Sequence, residues 1–489
     1  MTFEVKSLWQ KPYLIFIFYG SIFASITFVN HYNFRTFGWD LGINQNAIYD
    51  YAHFRWNDCM IMQPQFTNVL SDHFSIYPIL VSPFYWIFGT WTMLIFQWVA
   101  ILFGGWGIYK YVKSLTSDEN LSQLATAHFF SFYGIYSALG FDYHDNVVAT
   151  MFVPWLLLAF RNKNRKQIAL FFTLLLIAKE NMALWGAFIG LGLLLRALWD
   201  KDRENIRIAG LMLVIAGVYF ILVIKVIIPA LATPGREYLH NSFNALGANF
   251  GEVLVNILIH PIRAFQLLFE NHVGDPYYDG IKTETFLALA LAGGFALILA
   301  PEYLIMLLPI IGQKMFNDLP MRWGISEHYS IEFAPILVIG LYTVIHRLKR
   351  LKHQIALGLF AICFFSNIQF LDHRVSEYYK PLNEQIYKKD HWKRNYNVGE
   401  VYRLLKTIPD DARVSAQSML APHLAFRDYI YHYPHLGDAN FIALMPIEEN
   451  KYPLNDSTYN AQIDSFISSG EWRVYKKNEA LLILKKVKR

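Results

Sequence analysis

Cysteine is nearly absent from the sequence, and charged residues are scarce. Cys59 and Cys363 are the two cysteines among 489 residues, too few for a disulfide scaffold or a cysteine-rich metal site. Charged residues make up 17% of the chain, where a soluble protein has about a quarter. Hydrophobic residues make up 54%. These proportions favour an integral membrane protein over a soluble one.

Sequence motifs for nucleotides and zinc are also missing. The chain has no phosphate-binding glycine loop, no dinucleotide fingerprint and no zinc-ligand spacing. Lysine and arginine are concentrated in short loops between apolar runs, which is typical of cytoplasmic loops and not of a nucleic-acid surface. We therefore expect membrane partners and no nucleic acid.

Apolar runs divide residues 1–370 into about eleven predicted transmembrane helices. Lys6 and Lys11 precede the first helix and no clear cleavage site follows it, so an uncleaved helix with a cytoplasmic N-terminus is expected. Residues 74–88 are short and hold two prolines, which favours a re-entrant or interfacial helix and leaves a crossing open. The predicted spans are 12–30, 91–111, 121–139, 147–160, 168–178, 183–198, 208–228, 285–299, 303–316, 333–345 and 355–370.

With that alternation, every strongly basic loop falls on one side of the membrane, which we assign to the cytoplasm. Two large loops, 31–90 and 229–284, then lie outside, and residues 253–269 within the second form an amphipathic stretch. From residue 371 to 489 the composition is that of a soluble protein. Residues 414–419, 429–433, 441–445, 472–475 and 480–484 are predicted strands, and residues 398–407 and 459–468 are predicted helices. They predict a small extracytoplasmic α/β domain.

Acidic and imidazole side chains gather at the predicted outer ends of the helices. Asp40 follows the first helix, within a Trp-Asp-Leu-Gly sequence, and reads equally as a general base or as a helix N-cap. Ionisable groups at membrane depth are costly and tend to be functional. The other candidates for substrate binding are Asp72, His73, Asp142, His144, Lys179, Glu180, Arg322, His328 and Tyr329.

Two kinds of phosphate recognition are open from these residues. Asp40, Asp72, Asp142 and Asp145 are candidate ligands of Mg²⁺ or Mn²⁺, with Asp72 and Asp142 the pair that we expect to hold such an ion. Lysine and arginine side chains would instead bind phosphate without metal. The cationic candidates are Lys179, Arg236 and Arg322.

The ordered motifs resemble a known group of membrane enzymes. The arrangement resembles the GT-C superfamily of glycosyltransferases, and more closely a prokaryotic family of predicted membrane proteins of unknown function. The matching pieces are Trp39-Asp40-Leu41-Gly42, Asp72-His73-Phe74-Ser75, Phe141-Asp142-Tyr143-His144, Ala178-Lys179-Glu180-Asn181, Pro301-Glu302-Tyr303-Leu304 and His328-Tyr329-Ser330.

The resemblance implies a GT-C-like all-α bundle in a prokaryotic inner membrane, with a polyprenyl-phosphate sugar as donor. It implies that Asp40 is the catalytic carboxylate and that Asp142 lines the same outer cavity. Gly38 stands where many GT-C enzymes carry a second acidic residue, which argues against a required metal. The acceptor would be a glycan, lipid or protein.

Two other functions compete with the glycosyltransferase. A polytopic transporter or lipid flippase would have ionisable residues near mid-membrane and often an internal repeat, and the sequence shows neither clearly. A non-catalytic envelope-binding protein would rely on the C-terminal domain.

Overall fold

The computed structural model describes residues 12–62, 67–235 and 242–487. The expectations for Lys6, Lys11 and Arg236 lie outside these ranges. Within them the chain is mostly helical up to residue 372, and a small sheet follows.

The helices of the first part vary widely in length. In chain order they are α1 (Tyr13–Tyr32), α2 (Ile43–Ala52), α3 (Tyr77–Val81), α4 (Tyr85–Phe88), α5 (Thr92–Thr116), α6 (Glu119–Phe130), α7 (Tyr133–Leu139), α8 (Asp145–Thr150), α9 (Val153–Arg161), α10 (Arg165–Leu176), α11 (Glu180–Trp199), α12 (Arg203–Leu222), α13 (Ile228–Leu231), α14 (Phe250–Ile259), α15 (Pro261–Leu267), α16 (Ile281–Leu291), α17 (Pro301–Met315), α18 (Phe333–His346) and α19 (Lys352–Asp372).

Five helical segments of the described chain are long and apolar enough to cross a membrane. The chain is thus a membrane protein with several apolar helices, but the predicted count of about eleven spans is not confirmed. The five are α1, the continuous segment Tyr77–Thr116, α11, the continuous segment Arg203–Leu231, and α19.

The remaining predicted spans form shorter helices because the chain turns inside the apolar runs. The run at 121–139 becomes α6 and α7, separated at Ser131, and the run at 147–160 becomes α8 and α9. α18 is only 14 residues long, and nearly all of its side chains are buried among other helices. Burial within protein explains an apolar sequence as well as contact with lipid does, and the sequence alone does not separate the two.

The short segment before α5 lies at the end of the bundle that carries the C-terminal domain. The Tyr85 ring in α4 lies 5.8 Å from the Tyr49 ring of α2 and 4.7 Å from the Phe426 ring of the C-terminal domain. Gly89, with φ +54°, then turns the chain into α5. These contacts place α4 against α2 and the C-terminal domain.

The opposite end of the bundle holds the basic loops in ion pairs. Lys163 pairs with Asp202 at 2.6 Å, Arg165 with Glu204 at 2.6 Å, and His353 contacts Asp118 at 2.8 Å. The loops that were predicted to share the cytoplasmic side therefore meet at one end of the molecule.

The C-terminal region contains a five-stranded mixed sheet and four helices. The first helix, α20 (Pro381–Glu384), packs against α1, α7 and α19 of the bundle. The other three are α21 (Val398–Leu405), α22 (Ala421–Leu424) and α23 (Asp456–Ser468). A separate pair, β1 (Asp58–Cys59) and β2 (Thr67–Asn68), lies between α2 and α3. The sheet strands are β3 (Val414–Ala416), β4 (Ile430–His432), β5 (Phe441–Leu444), β6 (Trp472–Lys477) and β7 (Leu482–Lys486).

The strand order is β4-β3-β5-β7-β6, and the strands occur in the five predicted runs. β3 is parallel to β4 and β5, while β7 is antiparallel to β5 and β6. The small predicted C-terminal sheet is therefore confirmed.

The C-terminal region packs directly on the segment that follows α1. The Arg35 guanidinium donates hydrogen bonds to the carbonyls of Asp390, His391 and Lys393 at 2.9, 2.7 and 3.2 Å. A Cβ at Gly38 would lie 3.0 Å from the His432 ring, so the backbone here approaches β4 closely. The residues around Asp40 are consequently held between the bundle and the sheet.

We expect the bundle to depend on close helix packing at Gly192. A Cβ there would lie 2.3 Å from the Glu302 carbonyl oxygen, so Gly192→Ala would overpack the contact of α11 with α17 and destabilise the fold by about 1–3 kcal/mol. Gly210→Ala is the control, because a Cβ at Gly210 meets nothing within 4 Å. The melting temperature of the detergent-solubilised protein should fall in Gly192→Ala and stay unchanged in Gly210→Ala. Equal melting temperatures of the two variants would contradict this packing.

Candidate active site

A cavity of about 1200 Å³ lies at the end of the bundle that carries the C-terminal domain. It collects residues from seven separate parts of the chain, between Trp39 and Glu332. The predicted site residues that line it are Asp40, Asp72, His73, His144, Lys179, Glu180, Arg322, His328 and Tyr329.

Asp40 lies in a π-helical turn, Gly38–Gly42, that leads into α2. It does not cap α2, since the residue before that helix is Gly42 and no side chain caps it. Its Oδ1 lies 3.2 Å from Nε2 of His144, and 31% of its side chain is exposed. With a proton on Nε2, His144 donates a hydrogen bond to the Asp40 carboxylate, which leaves the second carboxylate oxygen open to the cavity.

Two imidazole rings and a phenyl ring form a stack beside this carboxylate. The rings of His144 and His328 are stacked with centroids 3.6 Å apart, and the Phe141 ring is stacked 5.2 Å from His144. Burial, and then the neighbouring His144, lower the pKa of His328 well below its ordinary value. His328 is therefore neutral at physiological pH, so it can accept or donate a hydrogen bond without adding charge.

A single glutamine fixes the loop that carries His144. Gln97 of α5 is fully buried; its amide donates to the Asp142 carbonyl at 2.8 Å and accepts from the His144 backbone N–H at 2.9 Å. Gln97 was not among the predicted site residues. A lone polar side chain inside the apolar run of α5 was the available signal.

Asp142 does not line the cavity, in contrast to what the resemblance implied. Asp142 is 3% exposed, and its backbone adopts the left-handed conformation with φ +50°. Its Oδ2 accepts a hydrogen bond from the Phe37 backbone N–H at 2.7 Å. Burial, and then the charge of Asp40, raise the pKa of Asp142 well above its ordinary range. The carboxyl thus ties the Asp40 segment to the bundle from behind the cavity wall.

The structure does not bring together the two carboxylates that were expected to hold a divalent metal. No group of three or more histidine, cysteine, aspartate or glutamate side chains among the described residues is placed to hold one. The pair expected to do so, Asp72 and Asp142, is divided between the cavity wall and the protein interior. We derive no chemical step through a metal.

His73 and Glu180 join two walls of the cavity. Glu180, buried at the start of α11, contacts Nδ1 of His73 with Oε1 at 2.8 Å. Its Oε2 accepts from the Phe74 backbone N–H at 3.1 Å. Because both carboxylate oxygens are engaged, Glu180 holds the segment before α3 against α11 and is less suited to react with a ligand.

Cationic groups in the same cavity are less engaged. The Lys179 ammonium forms no hydrogen bond or ion pair with a described residue, and Nε of Arg322 is buried without a partner among them. Other buried polar atoms of the lining have no described partner either: Nδ1 of His144 and His328, Oδ1 of Asn146 and Asn181, Nε2 of Gln313 and Oε2 of Glu332. Buried polar atoms without partners are costly, so this lining is suited to bind ordered water or a polar ligand.

The other wall of the cavity is apolar and belongs largely to the last turns of α12. Gly217, Phe220, Ile221 and Ile224 line it. Ile221 is also 63% exposed, on the same helix as the exposed Val218. The cavity therefore opens on a helix face whose composition suits contact with lipid.

Two charged residues close to Asp40 were not predicted. Glu327 is 6% exposed with φ +60°, and its Oε2 has no partner among the described residues. Burial, and then the charge of Asp40, raise the pKa of Glu327 to about 8. Lys380, at the start of the C-terminal domain, places its ammonium 4.4 Å from the Phe37 ring, and burial lowers its pKa. Glu327 adjoins a predicted residue in sequence, whereas nothing in the sequence points to Lys380.

Comparison with protein families matches residues 30–483 to the family described as a predicted membrane protein (DUF2079), and the chain belongs to this family. A comparison with curated proteins finds no match. The family description carries no activity, so the chemistry must be argued from the site.

The raised pKa of Glu327 predicts a stability loss as pH rises. The folded protein keeps this proton up to about pH 8, while the unfolded chain releases it near the ordinary glutamate value of 4.5. The free energy of unfolding should therefore fall between these pH values, by at most about 1.4 kcal/mol per pH unit.

Glu327→Gln removes this titration, so its thermal unfolding should depend less on pH than that of the wild type. Glu449→Gln, at an exposed position, is the control and should follow the wild type. If Glu327→Gln and wild type show the same slope from pH 5 to pH 8, Glu327 is not protonated in the folded protein.

Proposed function

We propose that this protein is a membrane glycosyltransferase that transfers a sugar from a polyprenyl-phosphate donor to an acceptor on the extracytoplasmic face. The observation that carries the proposal is the composition of the cavity. It combines a carboxylate–imidazole pair and open cationic groups with an apolar wall along α12. A ligand that matches it has a sugar, a phosphate and a long hydrocarbon chain in one molecule.

Asp40 would act as the general base in this reaction. It accepts the proton of an acceptor hydroxyl as that oxygen forms a bond to the anomeric carbon of the donor sugar. The bond between that carbon and the phosphate oxygen breaks, and the polyprenyl phosphate leaves with the bonding electrons. His144 holds the Asp40 carboxylate in one orientation through its hydrogen bond.

The developing phosphate charge would be stabilised by Lys179 and Arg322. Both side chains line the cavity, and neither Lys179 nor Nε of Arg322 is satisfied by described residues. Ammonium and guanidinium groups can replace a metal ion in this role. The proposal therefore includes no Mg²⁺ or Mn²⁺, consistent with Gly38 at the position of a second acidic residue.

The sidedness of the reaction follows from the predicted topology. The basic loops at the far end of the bundle would face the cytoplasm, which sets the cavity and the C-terminal domain outside. The donor would enter laterally from the outer leaflet along α12, and the hydrocarbon chain would remain beside the lipid-facing side of that helix.

Removal of the Asp40 carboxylate should abolish transfer and leave the fold intact. Asp40→Asn cannot accept the acceptor proton, so we expect the rate of glycan formation to fall about 100- to 10,000-fold. Asp58→Asn is the matched control, since Asp58 is exposed in the same outer segment and does not line the cavity. Mass spectrometry of lipid carriers and glycan products would measure the rate of transfer in both variants.

An unchanged product level in a correctly inserted Asp40→Asn protein would contradict the role of Asp40 as general base. Uptake of a substrate into proteoliposomes without any covalent change would instead favour a transporter or lipid flippase.

The cations should determine affinity for the lipid phosphate. A hydrogen bond to a charged group contributes about 1.5–3 kcal/mol, so Lys179→Gln and Arg322→Gln should each raise the Kd for undecaprenyl phosphate about 10- to 100-fold. Lys166→Gln, exposed at the far end of the bundle, should bind as the wild type does. Native mass spectrometry of the protein titrated with undecaprenyl phosphate provides the Kd. Equal affinities of all four proteins would place the phosphate elsewhere.

A further inference from the structure

Three exposed aromatic side chains surround the mouth of the site next to Asp40. Trp39 is 43% exposed, Tyr452 is 48% exposed and Tyr378 is 55% exposed. The rings of Trp39 and Tyr452 meet edge to face, with centroids 6.0 Å apart and an interplanar angle of 89°. Trp39 lines the cavity, and Tyr452 extends the aromatic surface from Trp39 beyond the cavity lining. Tyr378 lies within electrostatic range of the Tyr452 phenol. We call these three side chains the aromatic cleft.

Charged groups stand among these rings. Burial raises the pKa of the Tyr452 phenol, and the charge of Asp40 adds to the rise. Burial likewise raises the pKa of the Tyr378 phenol, with further contributions from the Glu377 and Glu327 carboxylates. Both phenols thus lie within electrostatic reach of carboxylates, and one of those carboxylates is the proposed base.

The backbone holds this cleft in a strained arrangement. Tyr378 has φ +57°, and Glu327 beside it has φ +60°. Residues other than glycine rarely adopt this left-handed conformation, and they cost of order 1–3 kcal/mol where they do.

The composition separates this cleft from the lipid-facing surface. On α12 the exposed side chains are aliphatic neighbours such as Val214 and Val218. The rings of the aromatic cleft instead lie near Asp40 and Glu327, which act on the two phenols, and Lys380 interacts with both of these acidic groups. Desolvation of such ionisable groups in lipid would be costly. Faces of aromatic rings pack against the C–H faces of pyranose rings, while carboxylates and an ammonium bind the hydroxyls. Such a mixture is suited to a carbohydrate.

We infer that the aromatic cleft of Trp39, Tyr378 and Tyr452 is an acceptor site for an oligosaccharide, which it presents to Asp40. This inference rests on the proposed function and specifies the acceptor class within it. Asp40 lines the cavity that would hold the lipid donor and directly follows Trp39 of the aromatic cleft. A hydroxyl of an acceptor bound in the cleft would therefore meet the anomeric carbon of the donor at the Asp40 carboxylate.

Binding of free oligosaccharides tests this site without turnover. The full-length protein in nanodiscs is titrated with cellotetraose, chitotetraose, maltotetraose and mannotetraose, and tryptophan fluorescence reports binding. At least one tetrasaccharide should bind, and Trp39→Phe should remove the fluorescence change. Tyr452→Ala and Tyr378→Ala should each raise the Kd about tenfold, since each removes a stacking ring. Trp56→Ala, an exposed tryptophan outside the cleft, is the control.

Two results would overturn the acceptor site. One is that none of the four tetrasaccharides binds, or that both tyrosine variants bind as the wild type does. The other is that brominated phospholipid in the nanodisc quenches the wild type more than Trp39→Phe, which would place the cleft in lipid. As a control for folding, Tyr452→Ala should bind undecaprenyl phosphate with the affinity of the wild type.

Failure of this inference is distinguishable from failure of the proposed function. If no tetrasaccharide binds but the protein still transfers sugar to a lipid or protein, the acceptor site is wrong and the glycosyltransferase stands. If a tetrasaccharide binds through the two tyrosines while no lipid-linked sugar is consumed, the glycosyltransferase is wrong and the carbohydrate site stands.

Discussion

Burial of ionisable groups at one end of an apolar bundle is the constraint on which the rest of this structure depends. The contact of Asp40 with His144 lies at the centre of it, with Asp142 and Glu327 buried nearby. Removal of such groups from water costs several kcal/mol each unless partners compensate. The protein meets part of this cost with the hydrogen bond from the Phe37 backbone N–H to Asp142 and the contact of His144 with Asp40, and part by protonation of buried carboxyls.

The polar groups around the cavity are of two kinds: some join segments of the chain, and others have no hydrogen-bond partner among the described residues. Glu180 and Asp142 use their carboxylates to join distant segments, so they are structural supports. His328, Arg322 and Lys179 line the cavity with polar atoms that described residues do not satisfy. A cavity lined by such unpartnered polar groups is suited to a charged ligand, and the apolar wall of α12 favours a ligand that also carries a hydrocarbon chain.

Much of this arrangement could be predicted from local sequence. The five strands after residue 413 were predictable because each is a short apolar run between turn residues. Motifs at helix ends converge on one cavity because the alternation of basic loops restricts which ends can meet. The helix count was less accessible, since α18 is apolar through burial in protein and the run at 121–139 breaks at Ser131. Lys380 and Asp142 depend on tertiary contacts that no local pattern encodes.

The most direct measurement is a cryo-electron microscopy map of the protein with a non-transferable phosphonate analogue of a polyprenyl-phosphate sugar. The account predicts density for the phosphonate between Lys179 and Arg322, the sugar beside Asp40, and the hydrocarbon chain along Gly217 to Ile224. Density for the ligand at the opposite end of the bundle, or an analogue bound with its sugar remote from Asp40, would contradict it.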